Sequence, residues 1–166
     1  MDKNLIKNSA VSLQDALSFR NKAKKEKKTF VLTNGCFDLL HSGHVFSLIE
    51  ASKLGDYLWV AINSDSSIKN LKGPKRPIVN EIDRAYLLTS LSCVAGVTIF
   101  NSTRLVDEIL ILKPDIYAKA GDYDESKINT DEHEALKEVK SKIEFVSFLP
   151  GRSTSSLIDN IVSNFD

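Results

Sequence analysis

The chain has 166 residues, 42% hydrophobic and 27% charged, a size that suits one α/β domain with its own buried core and excludes a second large domain. Lysine plus arginine and aspartate plus glutamate each number 22, so no charge excess directs the chain to nucleic acid or an acidic membrane, and any functional charge must be local. Cys36 and Cys93 are the two cysteines, too few for a disulfide framework and without C-x-x-C zinc spacing, which fits a reducing cytosol.

Residues 1–28 read as an N-terminal helical segment packing on a domain of residues 29–166. Ser12 to Lys28 sets Leu13, Ala16 and Leu17 on one face and ends in a solvated run, Lys24, Lys25, Lys27 and Lys28. Thr29 to Thr33 is a short β-rich run that halts at Asn34-Gly35, and a helix is expected from Gly43 to Leu54 with Gly55 as its C-cap. Tyr57 to Asn63 predicts a second strand. After it come Ser64-Asp65-Ser66-Ser67 and a loop with Lys69, Lys72, Lys75 and Arg76 around Gly73-Pro74 and Pro77, the most basic stretch of the chain.

Asn80 predicts the cap of a helix from Glu81 to about Cys93, Val97 to Phe100 a third strand, and Ser102 the cap of a helix reaching Lys113 before Pro114. Ile116 to Lys119 reads as strand four. The polar stretch Asp122 to Thr130 leads into a helix ending near Lys140, and Ile143 to Leu149 is strand five. Pro150-Gly151 turns the chain, and Ser153 or Thr154 caps a last helix through Ile161. No segment approaches the roughly 18 apolar residues of a membrane span or forms a signal-peptide core, so a soluble, cytoplasmic protein is expected.

Five strands separated by helices predict a Rossmann-like, doubly wound parallel sheet in a single domain, because parallel strands require crossover connections. Ligands in such sheets bind at the carboxyl ends of the strands, near the switch in strand order. That rule selects the turn after strand one, the basic loop after strand two, Lys119 to Asp122, and Gly151 to Ser155. In the first of these, Thr33-Asn34-Gly35-Cys36-Phe37-Asp38-Leu39-Leu40-His41-Ser42-Gly43-His44, Gly35 permits close backbone approach. His41 and His44 stand three apart at a helix start, where backbone N–H groups already favour an anion.

TNGCFDLLHSGH resembles the first motif of the nucleotidyltransferases with an H-x-G-H signature, the cytidylyltransferase-like family. LGDYLWVAINSD, LKGPKRPI, KPDIYAKAGDY and LPGRSTSSLI extend the resemblance over the chain from the N-terminal helix onward. The subgroup it resembles is the heptose 1-phosphate adenylyltransferases of lipopolysaccharide precursor synthesis, which occur alone or fused to a sugar kinase. The resemblance implies transfer of AMP from ATP to a sugar 1-phosphate with release of pyrophosphate. Cytidylyl transfer to glycerol 3-phosphate or a similar polyol phosphate is the near alternative, and a nucleotide-binding regulator without turnover the non-enzyme one. A class I tRNA synthetase fragment is rejected for want of room and of K-M-S-K-S.

Carried over residue by residue, the resemblance makes His41, His44 and Lys72 the catalytic set, with the histidines stabilising charge on the α-phosphate and the leaving pyrophosphate. Nucleotidyl transfer needs positioning and charge neutralisation more than a protein nucleophile, so no covalent intermediate is implied. Thr33, Asn34, Gly35, Cys36 and Phe37 would line the nucleotide site, and Cys36 has no nucleophilic role. Lys75 and Arg76 share the basic loop with Lys72, which would either close over phosphates or remain a solvated charged loop. Asp38 either binds the acceptor, orients a neighbour or is a structural turn aspartate, and Arg84 anchors phosphate or pairs with an acid. Asp65 reaches a ribose or metal, or serves the turn or the cap of a short helix.

Lys119-Ala120-Gly121-Asp122 resembles the family's K-G-G-D, with Ala120 departing from glycine; it assigns Lys119 to substrate and Gly121 and Asp122 to nucleotide. Arg152, Ser153 and Thr154 either bind the triphosphate or are an ordinary helix cap. Magnesium is implied as a cofactor, bound mainly through the nucleotide phosphates with no dedicated protein cage. His133, in the run Asp131-Glu132-His133-Glu134, reads as part of a solvated helix face. A separate sugar kinase upstream and a homodimer are the expected partners, with no nucleic acid or membrane.

Overall fold

A parallel strand covered by helices on both faces is a continuous apolar run, not an alternating one. Phe30-Val31-Leu32 and Leu58-Trp59-Val60-Ala61-Ile62 have that pattern and are all buried. In the computed structural model, which describes residues 10–121 and 128–165, they form β1 (Phe30–Gly35) and β2 (Tyr57–Asn63), paired in parallel with Phe30 opposite Tyr57 and Gly35 opposite Ile62. β3 (Gly96–Phe100), β4 (Ile116–Ala120) and β5 (Lys142–Val146) complete an all-parallel sheet of order β3-β2-β1-β4-β5. This is the Rossmann-like α/β sheet expected from the sequence. Its order switches between β1 and β4, so a crevice opens at the carboxyl ends of those two strands.

On one face, α1 (Leu13–Lys25), α5 (Val106–Leu112) and α6 (Thr130–Glu138) bury Ala16, Ile109, Leu112 and Leu136 against Phe30, Leu32, Trp59 and Tyr117. On the other, α2 (Ser42–Ser52) and α4 (Glu81–Thr89) bury Leu48, Ala51, Ala85 and Leu88 against Val31, Val60, Ile62 and Ala118. α1 is further tied by Arg20, which donates to the Lys113 carbonyl at 3.0 Å and to Asp115 Oδ1 at 2.7 Å, while Asp115 Oδ2 accepts the Phe30 N–H that opens β1. Among the described residues no helix is long and apolar enough to cross a membrane.

Several expected boundaries move for identifiable reasons. Ser64 Oγ accepts the Ser67 N–H and starts a helix, α3 (Asp65–Lys72), so Lys69 and Lys72 are helical and only Lys75 and Arg76 belong to the loop that follows Gly73 at φ +91°. Ser102 caps no helix. α5 begins four residues later, where the Leu105 N–H is met instead by Glu132 Oε1 at 3.0 Å from α6, a partner remote in sequence. Gly55 is not a helix cap, since α2 ends at Ser52 with Lys53 behind it; a Cβ at Gly55 would lie 2.7 Å from Val31 Cγ2, so glycine lets the chain pass β1. α4 ends at Thr89, short of Cys93, and β5 ends at Val146, short of Leu149. The last helix, α7 (Thr154–Phe165), outruns Ile161, and the Ser153 hydroxyl accepts the Ser156 N–H as its cap.

Candidate active site

β1 carries Thr33, Asn34 and Gly35 to the crevice. A Cβ on Gly35 would sit 2.8 Å from the Phe37 ring, so glycine is what allows Phe37 to fold back over the strand end. Phe37 itself adopts φ +47°, a left-handed conformation unusual for an aromatic residue and of the kind retained where a turn has a task. The chain then enters α2 through His41, whose Nδ1 accepts the His44 N–H at 3.3 Å. This bond leaves Nε2 of His41 as the protonated, donating nitrogen.

The rings of His41 and His44 stack with centroids 3.7 Å apart, and the Phe37 ring lies 5.1 Å from that of His44, tilted by 58°. Burial lowers the pKa of His41. Burial lowers that of His44 to about 4, with the positive fields of His41 and Lys72 adding to the effect and a backbone contact with Leu39 opposing it weakly. Both imidazoles are therefore neutral near pH 7; His41 presents its Nε2–H as a donor, not a fixed charge, while Nδ1 of His44 is buried without a hydrogen-bond partner among the described residues. Gly43 between them is buried: a Cβ there would lie 2.9 Å from Arg152 Cβ and 3.0 Å from the His41 ring, so glycine brings the start of α2 against the segment that opens α7.

A cleft of about 270 Å³ lies at the switch point, with Thr33, Asn34, Gly35, Cys36, Phe37, His44, Ser47 and Lys119 in its walls. A second, of about 250 Å³, is lined by His41, His44, Gly121, Arg152, Ser153 and Thr154. His44, Ser47 and Ala120 line both. Lys119 Nζ lies 3.3 Å from both Asn34 Oδ1 and Tyr117 Oη, and Tyr117 donates to Asn34 Oδ1 at 2.7 Å. Burial pushes the Lys119 pKa down, the Glu132 carboxylate raises it in part, and Arg104 lowers it again. Cys36 donates to Asn63 Oδ1 at 3.7 Å, and Asn63 donates to Ser67 at 2.9 Å, so the thiol is part of a polar wall.

The basic segment is fastened to this wall by two buried side chains. Asp38, 1% exposed, accepts the Ile78 and Val79 N–H groups at 2.7 and 3.1 Å through Oδ1, and its Oδ2 faces Arg76 Nε at 2.8 Å. Arg84, also 1% exposed, donates to the carbonyls of Val79 and Cys36 at 3.0 and 2.6 Å and to Asp65 Oδ1 at 2.8 Å. Of the residues expected to bind substrate, Asp38, Arg76 and Arg84 thus have protein partners, and Lys119, itself bonded to Asn34 and Tyr117, lines the cleft. Lys72 and Lys75 are exposed at the mouth of the turn, and Arg152 and Ser153 are exposed beside α7. Asp122 lies outside the described residues.

Among the described residues no group of three His, Cys, Asp or Glu side chains converges as a metal site. Sequence reasoning missed Tyr117, Asn63, Ser47 and Glu132. Only Tyr117 had a readable signal, since it stands two residues from Lys119 in a strand and therefore shares its face.

The Cytidylyltransferase-like family profile matches residues 32–159. The Bifunctional protein HldE of Syntrophotalea carbinolica is 40% identical over 156 residues, which is 93% of this chain and 31% of that protein. The Bifunctional protein HldE of Helicobacter pylori (strain J99) is 45% identical over 138 residues, 83% of this chain and 28% of that protein. The chain thus spans about a third of the length of these relatives. Among solved structures, the lipopolysaccharide core biosynthesis protein from Thermoplasma volcanium GSS1 superposes with a TM-score of 0.59 at 26% identity, covering 74% of this chain and 97% of that one. The Francisella tularensis pantoate-beta-alanine ligase superposes with a TM-score of 0.61 at 14% identity, over 91% of this chain and 72% of that one, a likeness of fold alone.

Proposed function

Because this chain belongs to the cytidylyltransferase-like family, and is a nucleotidyltransferase, we propose that it transfers AMP from ATP to D-glycero-D-manno-heptose 1-phosphate, giving ADP-heptose and pyrophosphate. The observation that carries this reading is the stacked pair His41 and His44 at the start of α2, with His44 lining the switch-point cleft and both rings lining the cavity beside Arg152. An oxygen of the sugar phosphate attacks the α-phosphorus, the bond from that phosphorus to the oxygen bridging to the β-phosphate breaks, and the electron pair leaves with pyrophosphate. The Nε2–H of His41, with the His44 ring stacked beside it, meets the charge that gathers on the α-phosphate and leaving group.

Thr33 to Phe37 and Gly121 line the nucleotide, and Asp122 joins them in this reading. Arg152, Ser153 and Thr154 hold the triphosphate at the start of α7, where hydroxyls, N–H groups and a guanidinium meet anionic oxygen well. Lys72 and Lys75 add cations at the mouth, while Asp38, Arg76 and Arg84 set the position of the segment that carries Lys75. Magnesium, bound mainly through the nucleotide phosphates, would screen their charge during transfer. The reaction belongs in the cytoplasm, where ATP is supplied, and a phosphorylating step must provide the sugar 1-phosphate. Two copies of the 18.5 kDa chain are expected to associate, which light scattering would read directly.

The test is pyrophosphate release with magnesium, offering ATP and CTP in turn against heptose 1-phosphate and glycerol 3-phosphate. Turnover with ATP and the heptose is expected. Turnover only with CTP and glycerol 3-phosphate would move the protein to cytidylyl transfer, and silence in all four pairings would overturn the reading of substrates.

A further inference from the structure

Tyr117 has no exposed surface and lies among the apolar side chains between the sheet and α5 and α6, yet it carries a hydroxyl. A phenol in such a place needs a partner, and it reaches across the switch point to Asn34 Oδ1 at 2.7 Å. Lys119, on the same face of β4, directs Nζ to within 3.3 Å of both that amide oxygen and the phenol oxygen. The bonding is mutually consistent: the phenol donates to the amide, and the ammonium donates to both oxygens. Asn34 and Lys119 line the cleft, whereas Tyr117 stands behind them.

We propose that Tyr117 is a positioning residue, whose hydroxyl together with Asn34 fixes the Lys119 ammonium in the cleft to receive the phosphate of the acceptor. This rests on the nucleotidyl-transfer reading. A sugar phosphate is an anion that must approach the anionic α-phosphate, so its approach requires a cation of its own. His41, His44 and Arg152 reach the crevice from the α2 side of the sheet, while Lys119 rises from the opposite, α5 and α6 side. Two anionic groups can thus be met from opposite sides of the cleft that His44 and Lys119 both line. Because burial works against the charge of Lys119, acceptance by Asn34 Oδ1 and Tyr117 Oη helps to keep it an ammonium.

Tyr117→Phe keeps the buried ring and removes the hydroxyl alone. The expected result is a KM for the sugar phosphate raised about 3–10-fold, the effect of one hydrogen bond, with KM for ATP unchanged. The alkaline limb of the acceptor kcat/KM should move to lower pH, since loss of an acceptor favours the uncharged amine. Competitive acetylation of the apoprotein, read at the Lys119 peptide by mass spectrometry, should show higher reactivity in the variant at a given pH. Should Y117F melt far below the wild type, Asn34→Asp examines the same contact with the opposite sign, lowering Lys119 reactivity.

Unchanged acceptor KM, pH limb and Lys119 labelling in folded Y117F would overturn the proposal while wild-type turnover still supported the substrates. If the wild type turned over no pairing, the assigned acceptor role would fall with the substrate reading. The labelling would then decide separately whether Tyr117 positions Lys119.

Discussion

His41 caps α2 with the ring it offers to the crevice: Nδ1 accepts the His44 N–H at 3.3 Å while the two imidazoles stack at 3.7 Å. A His41→Ala change removes a helix cap and the proposed phosphate donor together. It should lower stability by about 1 kcal/mol and kcat by roughly 10²–10³. Asparagine is a good N-cap, so His41→Asn should restore stability and leave turnover lost. Urea unfolding beside the pyrophosphate assay separates the two effects, and an H41N protein with wild-type kcat would remove His41 from the chemistry.

His44 links the site to acid stability. Its folded pKa is about 4 against an ordinary 6.5, so as pH falls the unfolded chain takes up the proton first. The contribution of neutral His44 is present above 6.5 and is lost as pH falls through 4. It is at most about 3 kcal/mol, and less in practice because the ring is partly exposed. Urea midpoints for wild type and His44→Gln should therefore converge or cross between pH 6.5 and 4. Parallel curves would mean that the imidazole is not held neutral. At pH 7 the variant should remain folded and lose transfer.

The order of elements was legible because apolar runs and their spacing are local properties of the chain, as in Phe30 to Leu32 and Leu58 to Ile62. The helix starts were legible only where the cap was local. Asn80 and Ser153 accept N–H groups two or three residues ahead, whereas the Leu105 N–H is met by Glu132, 27 residues away. The crevice followed from topology and the two histidines. What the sequence left open was the choice between substrate and fold: Asp38 read as an acceptor ligand, an orienting group or a turn aspartate and Arg84 as a phosphate anchor or the partner of an acid, and partners 40 and 48 residues distant occupy them.

That occupation makes Asp38 a stability residue with a functional consequence. Asp38→Ala strips two backbone N–H groups and Arg76 of their partner, and should cost about 2–4 kcal/mol. The segment after α3 would lose its tether to the β1 turn, so KM for the nucleotide should rise and trypsin should cut more readily after Lys72 and Lys75. Asp38→Asn keeps an oxygen for the two N–H groups and should fall between. A D38A protein as stable and as protease-resistant as the wild type would show that the tether is not needed.

The clearest separation of stability from activity is expected at Gly43. In an isolated helix alanine would be favoured over glycine by about 1 kcal/mol. Here the added methyl would meet Arg152 Cβ at 2.9 Å and the His41 ring at 3.0 Å, and both neighbours belong to the proposed phosphate site. Relief must come by moving His41, the start of α7, or both, and displacements below an ångström at reacting groups are costly to rate. Gly43→Ala should stay within about 1 kcal/mol of wild-type stability and lose roughly 10²-fold or more in kcat. Unfolding curves and pyrophosphate release on the same preparation measure both. A G43A enzyme of full activity would mean that the approach of α2 to Arg152 has no part in catalysis, and that glycine stands between the histidines only for packing.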